Sequence, residues 1–390
     1  MLRFKLQDAL LLWLAGLFLA SQIVLATIDD YFKVSFSESV TGTCAAYDSD
    51  LDTFMDDVVT LAEYASEAVK YAQMELDQLS AEDEKKALVA RKLFTAYFGI
   101  EFDGSAPTEA TEDDWDTLTT NIETYETYIE TKDYPTKKNS PHLFCKSYGQ
   151  WFQWSAQALG SDGKGLSDTD GNGLSISDIY SYEYTEGKTN PYWVPAMNNY
   201  IFMPSAVPDD VCDYIPPKSE GKILGLCVQG NKQQIEAVDG SDTPVKELSS
   251  PENVLLCPSA FDDSNPLQPY NSLDDVESAA TEAIEGDGLG GGVQLSVILP
   301  RSASLYHEIW HMVTFWYDSG KEIRDAGSEF VGDVTYDLGE VLNLGTEGIV
   351  NAQSYMYFAV AYWFYASRTD WGTEVAGTFF TETFEPWTYI

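Results

Sequence analysis

Histidine is nearly absent from this chain: 3 in 390 residues, and two of them, His307 and His311, lie four positions apart. Basic residues are also scarce, with 22 Lys+Arg against 63 Asp+Glu and a formal charge of -41. A field that negative repels a phosphate backbone, which excludes nucleic acid as a partner. Most of the charge reads as a soluble, non-adhering surface, and the sharper reading is a preference for basic substrates. There are 5 cysteines and no C-x-x-C pair, which excludes a cysteine-zinc site. No Asn-x-Ser/Thr sequon occurs, so N-glycosylation is not expected. G-x-S-x-G, a P-loop and a catalytic Cys/His context are missing too, which removes the commonest serine, nucleotide and thiol chemistries. No internal repeat is evident. What remains is 44% hydrophobic and 14% aromatic, the composition of a packed globular chain of one large domain or two ordinary ones.

Long apolar runs are confined to the start. Arg3 and Lys5 precede ALLLWLAGLFLASQIVLA (9–26), which ends in Val24-Leu25-Ala26. That is the order of a secretory signal peptide, expected at 1–26. Uncleaved, the run would be long enough to anchor the chain in a bilayer. The expectation is a mature protein from Thr27, secreted and extracellular, monomeric, without stable membrane association. Cys44, Cys145, Cys212, Cys227 and Cys257 all follow that point. In an oxidising compartment they predict two disulfides and one spare thiol, with the pairing open.

Residues 27–145 read as helical. Apolar residues recur at helical spacing over 49–79, among them Phe54, Val58, Leu61 and Ala65. A second helix follows the capping Ser80, and a third ends before Pro135. Residues 146–250 are richer in aromatics, Gly, Pro and Asp, predicting short strands and long loops. Within them Asp168, Asp170, Asn172 and Gly173 match the first half of a calcium loop. The twelfth position is Ile179, however, so a solvated Asp/Gly turn is the simpler reading and Ca²⁺ the alternative. In the part 251–390, VLLCPSAF reads as a strand entering a turn, 272–286 as a helix and VQLSVIL (293–299) as a strand. RSASLYHEIWHMVTFWYDS (301–319) follows as a helix.

On that helix His307 and His311 lie one turn apart on one face, able to share one ion. Glu308 stands beside them, in reach of a water on the ion's open side. H-E-x-x-H supplies two neutral ligands and a carboxylate base, the arrangement of zinc peptidases. Leu305, Ile309, Met312, Val313 and Trp316 form a separate core stripe. The third ligand must be a carboxylate, because no further histidine follows. Either Asp333 is the ligand, with Tyr336 donating to an oxyanion, or Glu329 is, with Asp333 orienting a histidine. His142 reads as an ordinary histidine, and Glu340 and Glu347 as solvated acids.

These motifs resemble the aspzincin metallopeptidases, the fungal deuterolysins and lysine-specific metallo-endopeptidases. Asp333-Val334-Thr335-Tyr336 is similar to their aspartate–tyrosine signature, although Asp337 stands in place of its glycine and Phe330-Val331 in place of its Gly-Thr. NAQSYMYFAVAYWF (351–364) resembles their closing helix, with Gln353 in place of Asp. LLCPSAF (255–261) and ARKLFTAYFG (90–99) are similar to further family segments. The resemblance covers 250–366 and, more loosely, 45–145, leaving 146–250 as an insertion. It implies an α+β, zincin-type fold in one catalytic domain over 27–390, with a helical N-terminal half and a small mixed sheet beside the zinc helix. It further implies one Zn²⁺ on His307, His311 and Asp333, Glu308 as general acid/base, Tyr336 as oxyanion donor, and protein or peptide substrates, bound along an edge strand such as 293–299. The competing expectation is a secreted zinc-binding antigen of the same fold without proteolysis.

Overall fold

The computed structural model describes residues 26–132, 140–146, 149–160, 162–180, 188–215, 222–228, 232–235, 246–249, 253–285, 295, 299–314, 317–318, 321–322 and 331–367. The segment read as a signal peptide lies outside them, save Ala26. Three helices open the described chain: α1 (Asp48–Ala72), α2 (Ala81–Phe98) and α3 (Glu112–Thr131). α1 stops short of the expected residue 79 because the buried Arg91 of α2 donates to the carbonyls of Ala72 and Met74. The guanidinium thereby satisfies acceptors left open where the helix ends. α2 starts where Ser80 predicts, its Oγ accepting the Asp83 N–H at 3.2 Å. It ends on Gly99 at φ 65°, where a Cβ would also lie 2.8 Å from the main chain at Gly345–Thr346.

Three further helices complete the layer: α4 (Leu273–Glu285), α5 (Ser302–Thr314) and α6 (Ala352–Ala366). α1 packs against α2, α3, α5 and α6, and α5 also touches α3, α6 and the sheet. Every residue of α5 is buried, so its ligand face is not a solvent stripe opposite a core stripe. The sheet covers it. Trp310 lies between Tyr125 and Tyr355, at ring distances of 4.4 and 4.0 Å, and Tyr125 Oη donates to the Tyr306 carbonyl.

The sheet joins β1 (Lys33–Val34), β2 (His142–Phe144), β6 (Gly225–Val228) and β7 (Asn253–Leu256) in the order β1-β2-β7-β6. The first three in that order run parallel; β6 is antiparallel to β7, with Val254 opposite Cys227 and Leu256 opposite Gly225. Among the described residues β6 is therefore the sheet edge beside α5, although its sequence position is within the stretch read as an insertion. Among the other described residues of that stretch, β3 (Gln150–Trp151), β4 (Thr189–Val194) and β5 (Asn199–Pro204) form a separate sheet, and Lys232–Ile235 pairs with Lys246–Ser249 in a hairpin. Trp154, Tyr180, Trp193 and Tyr200 make the small core of the separate sheet.

Disulfides Cys44–Cys145 and Cys212–Cys257 fasten these parts, and Cys227 lies outside both. A helical layer on one small mixed sheet makes the chain α+β. Among the described residues no helix is long and apolar enough to cross a membrane.

Candidate metal centre

α5 delivers His307 and His311 to one point, and the loop after Val331 returns Asp333 to it. His307 Nε2 lies 3.0 Å from His311 Nε2 and 3.0 Å from Asp333 Oδ1, and His311 Nε2 lies 3.1 Å from Asp333 Oδ1. The result is a near-equilateral triangle of donor atoms. Ligands about 2.0–2.1 Å from a tetrahedral zinc stand roughly 3.3 Å apart, so the triangle fits such an ion with little movement.

The protonation chemistry agrees. His311 Nδ1 lies 2.8 Å from the Val331 carbonyl, which can only accept. Nδ1 therefore carries a proton, and Nε2 presents its lone pair to the site once it loses its own. Without a cation, two imidazole nitrogens and a carboxylate oxygen at these distances have to share protons. Burial lowers His311, but the hydrogen-bonded Asp333 carboxylate outweighs it and pushes the imidazole up to about 9. Burial raises Asp333, and the two imidazoles more than reverse this, holding it well below the usual carboxylate range. His307 Nδ1 is buried without a hydrogen-bond partner among the described residues.

Glu308 is buried beside the triangle. Burial raises its carboxyl above the ordinary range, opposed by the two histidines and by a hydrogen bond from the Cys227 N–H. That bond comes from β6, which crosses directly over the side chain. At Gly225 a Cβ would lie 2.6 Å from Glu308 Oε1 and 2.7 Å from its Cγ, so only glycine admits this approach. Tyr336 is half exposed, with its ring stacked on His307 at 5.8 Å. Its hydroxyl donates to Asp333, and burial of the phenol together with that carboxylate keeps it far from ionising.

The structure thus brings His307, His311, Asp333, Glu308 and Tyr336 together. Glu329 lies outside the described residues, as does most of the strand expected at 293–299; the described edge strand beside α5 is β6. Glu340 accepts from the Thr335 hydroxyl, and Asp337, in the place of the family's glycine, caps the short helix Leu338–Val341. Glu347 belongs to no metal-binding group among the described residues. His142 sits in the sheet against Phe144, lowered to about 4 by burial and then by Lys33. At the proposed calcium loop Asp168 spends its carboxylate on its own turn, accepting from the N–H groups of Asp170 and Asn172 and from Asn172 Nδ2.

Two contributors escaped sequence reasoning. Gly225 carried a usable signal, since an isolated glycine in a strand marks close backbone approach. Asn351 reads in the sequence only as the head of a helix. Comparison with family models, with curated proteins and with solved structures finds no match to this chain.

Proposed function

We propose that this chain is a secreted zinc endopeptidase of the zincin type, a divergent relative of the aspzincins. The observation that carries the reading is the triangle of His307, His311 and Asp333 with Glu308 buried at its side under an edge strand. Two imidazoles and a carboxylate also suit ferrous iron. A carboxylate base on the same helix, one residue from a ligand, favours zinc and hydrolysis. The two disulfides support an oxidising destination.

Bound there, zinc would supply Lewis acidity toward a carbonyl and a lowered pKa for water. The chain's residues do the rest. Glu308, whose carboxyl is raised by burial above the ordinary range and so suited to proton transfer, takes the proton of the attacking water and delivers it to the leaving amine. Tyr336, already a donor and open to solvent on one side, turns its hydroxyl from Asp333 to the developing oxyanion. Among the described residues β6 is the last strand of its sheet, and an extended peptide would lie alongside it as a further strand.

Glu308→Gln tests the reading. It is expected to keep the metal and lower casein cleavage by about 10²–10⁴-fold, the usual contribution of a general base. Cleavage at the wild-type rate in that variant would refute the mechanism. A wild type that holds zinc and cleaves nothing would instead support the zinc-binding antigen.

A further inference from the structure

Asn351 heads α6, where an asparagine ordinarily caps its own helix by accepting an N–H from the first turn. It does not do so: no side-chain cap bond is made. Its Oδ1 instead points across to the loop carrying Asp333 and accepts the N–H groups of Val334 at 3.0 Å and Thr335 at 3.3 Å. Its Nδ2 donates to Ser354 Oγ at 3.0 Å, which fixes the amide's orientation. The side chain is fully buried.

The main chain completes the grip on the other side of Asp333. Gly332 N–H donates to the Val350 carbonyl at 2.8 Å, and the Ala352 N–H donates to the Gly332 carbonyl at 2.9 Å. Asp333 is therefore bracketed, with Gly332 held by the backbone around Asn351 and residues 334 and 335 by its amide. Before Asp333 the loop is also held to α5, where the buried Val331 donates its N–H to Thr314 Oγ1 at 3.1 Å, but after it Val334 and Tyr336 are 49% and 51% exposed, so packing does little there. Asp333 comes from a loop, whereas its two partner ligands are fixed by a buried helix. Its placement is the least constrained part of the triangle.

We propose that Asn351 is the positioning residue of the third metal ligand, setting zinc affinity by holding the Asp333 loop against α5. The inference rests on the reading of His307, His311 and Asp333 as metal ligands.

The test is zinc affinity of the full chain, measured by competition with a chelating dye, together with the absorption spectrum of the Co²⁺-loaded protein. Asn351→Leu keeps the volume and removes the acceptor. It is expected to weaken zinc about 10–100-fold, the usual cost of losing a group that orients a ligand, and to alter the Co²⁺ bands. Asn351→Asp still accepts from both N–H groups, and Ser354 can turn its proton toward the new carboxylate. That variant is expected to stay within about threefold of wild type. If Asn351→Leu does not fold, Ser354→Ala takes its place, with a smaller loss expected from the freed amide. A folded Asn351→Leu with wild-type affinity and spectrum would overturn the proposal, as would an unchanged Ser354→Ala. Equal zinc binding by wild type and Asp333→Ala would overturn the metal-site reading itself, and the positioning role with it.

Discussion

Gly225 and Glu308 are closer than any other residue type at 225 would allow. Gly225→Ala puts a methyl group 2.6 Å from Glu308 Oε1, so either β6 or the carboxylate has to move. The expected result is zinc binding near wild type with turnover down about 10²-fold, because a base displaced by about 1 Å loses that much. Steady-state kinetics beside metal content would check it, and unchanged turnover would mean that β6 does not aim the base. Zinc uptake should also release protons, because His311 is held protonated by Asp333 in the metal-free chain and has to present Nε2 to the ion. Calorimetry at pH 7 in buffers of different ionisation enthalpy would measure the release; none would argue against His311 as a ligand. At this scale His307, Glu308 and His311 were legible because helical spacing alone places them. Asp333 was legible as one of two candidates with Glu329, favoured by its spacing to Tyr336 and by the family resemblance, and Glu329 lies outside the described residues. Asn351 was not, and Gly225 signalled only that some group approaches the backbone, since each acts on a residue distant in sequence and only tertiary folding brings the partners together.

The helices hold the site by two separable devices. One is aromatic packing: Trp310, on the turn between the two histidines, is fully buried between Tyr125 and Tyr355. Trp310→Ala is expected to cost about 3–5 kcal/mol in chemical denaturation, the range for deleting a large core aromatic. The other is Asp57 of α1, which accepts from the Leu273 N–H at 3.2 and 3.3 Å and from Ser302 Oγ at 2.7 Å, joining the first turns of α4 and α5. Burial raises Asp57 from 3.8 to about 7. A raised carboxyl favours folding while protonated, so its contribution is full below pH 3.8 and fades as the pH climbs through 7. The melting temperature should therefore decline across that window, with a flatter profile in Asp57→Asn; parallel profiles would assign the slope to other groups. Amphipathic periodicity made the long helices readable in advance. β6 escaped because four residues that begin with a glycine carry too short a pattern to read, and because its place in the sheet is set by its pairing with β7.

For the whole molecule, the disulfides join what the sequence separates. Cys44–Cys145 closes a loop of 101 residues around the helical part, and Cys212–Cys257 one of 45 around β6. Loop entropy assigns each on the order of 4–5 kcal/mol. That is a large share of a stability of about 5–15 kcal/mol, so reduction should lower the melting point steeply. If Cys212→Ser/Cys257→Ser keeps its melting point and zinc but loses cleavage, the second bridge serves β6 rather than the fold. That two bridges would form was legible from cysteine number and the leader-like start, whereas their pairing had to come from the structure.

The claim on which all of this depends is the metal and its third ligand. Metal analysis of purified wild type beside Asp333→Ala and Glu329→Ala tests it most directly. One zinc per chain is expected in wild type and in Glu329→Ala, and none retained by Asp333→Ala. Zinc lost from Glu329→Ala but kept by Asp333→Ala would contradict the ligand assignment, and iron in place of zinc, or no metal in wild type, would contradict the claim itself.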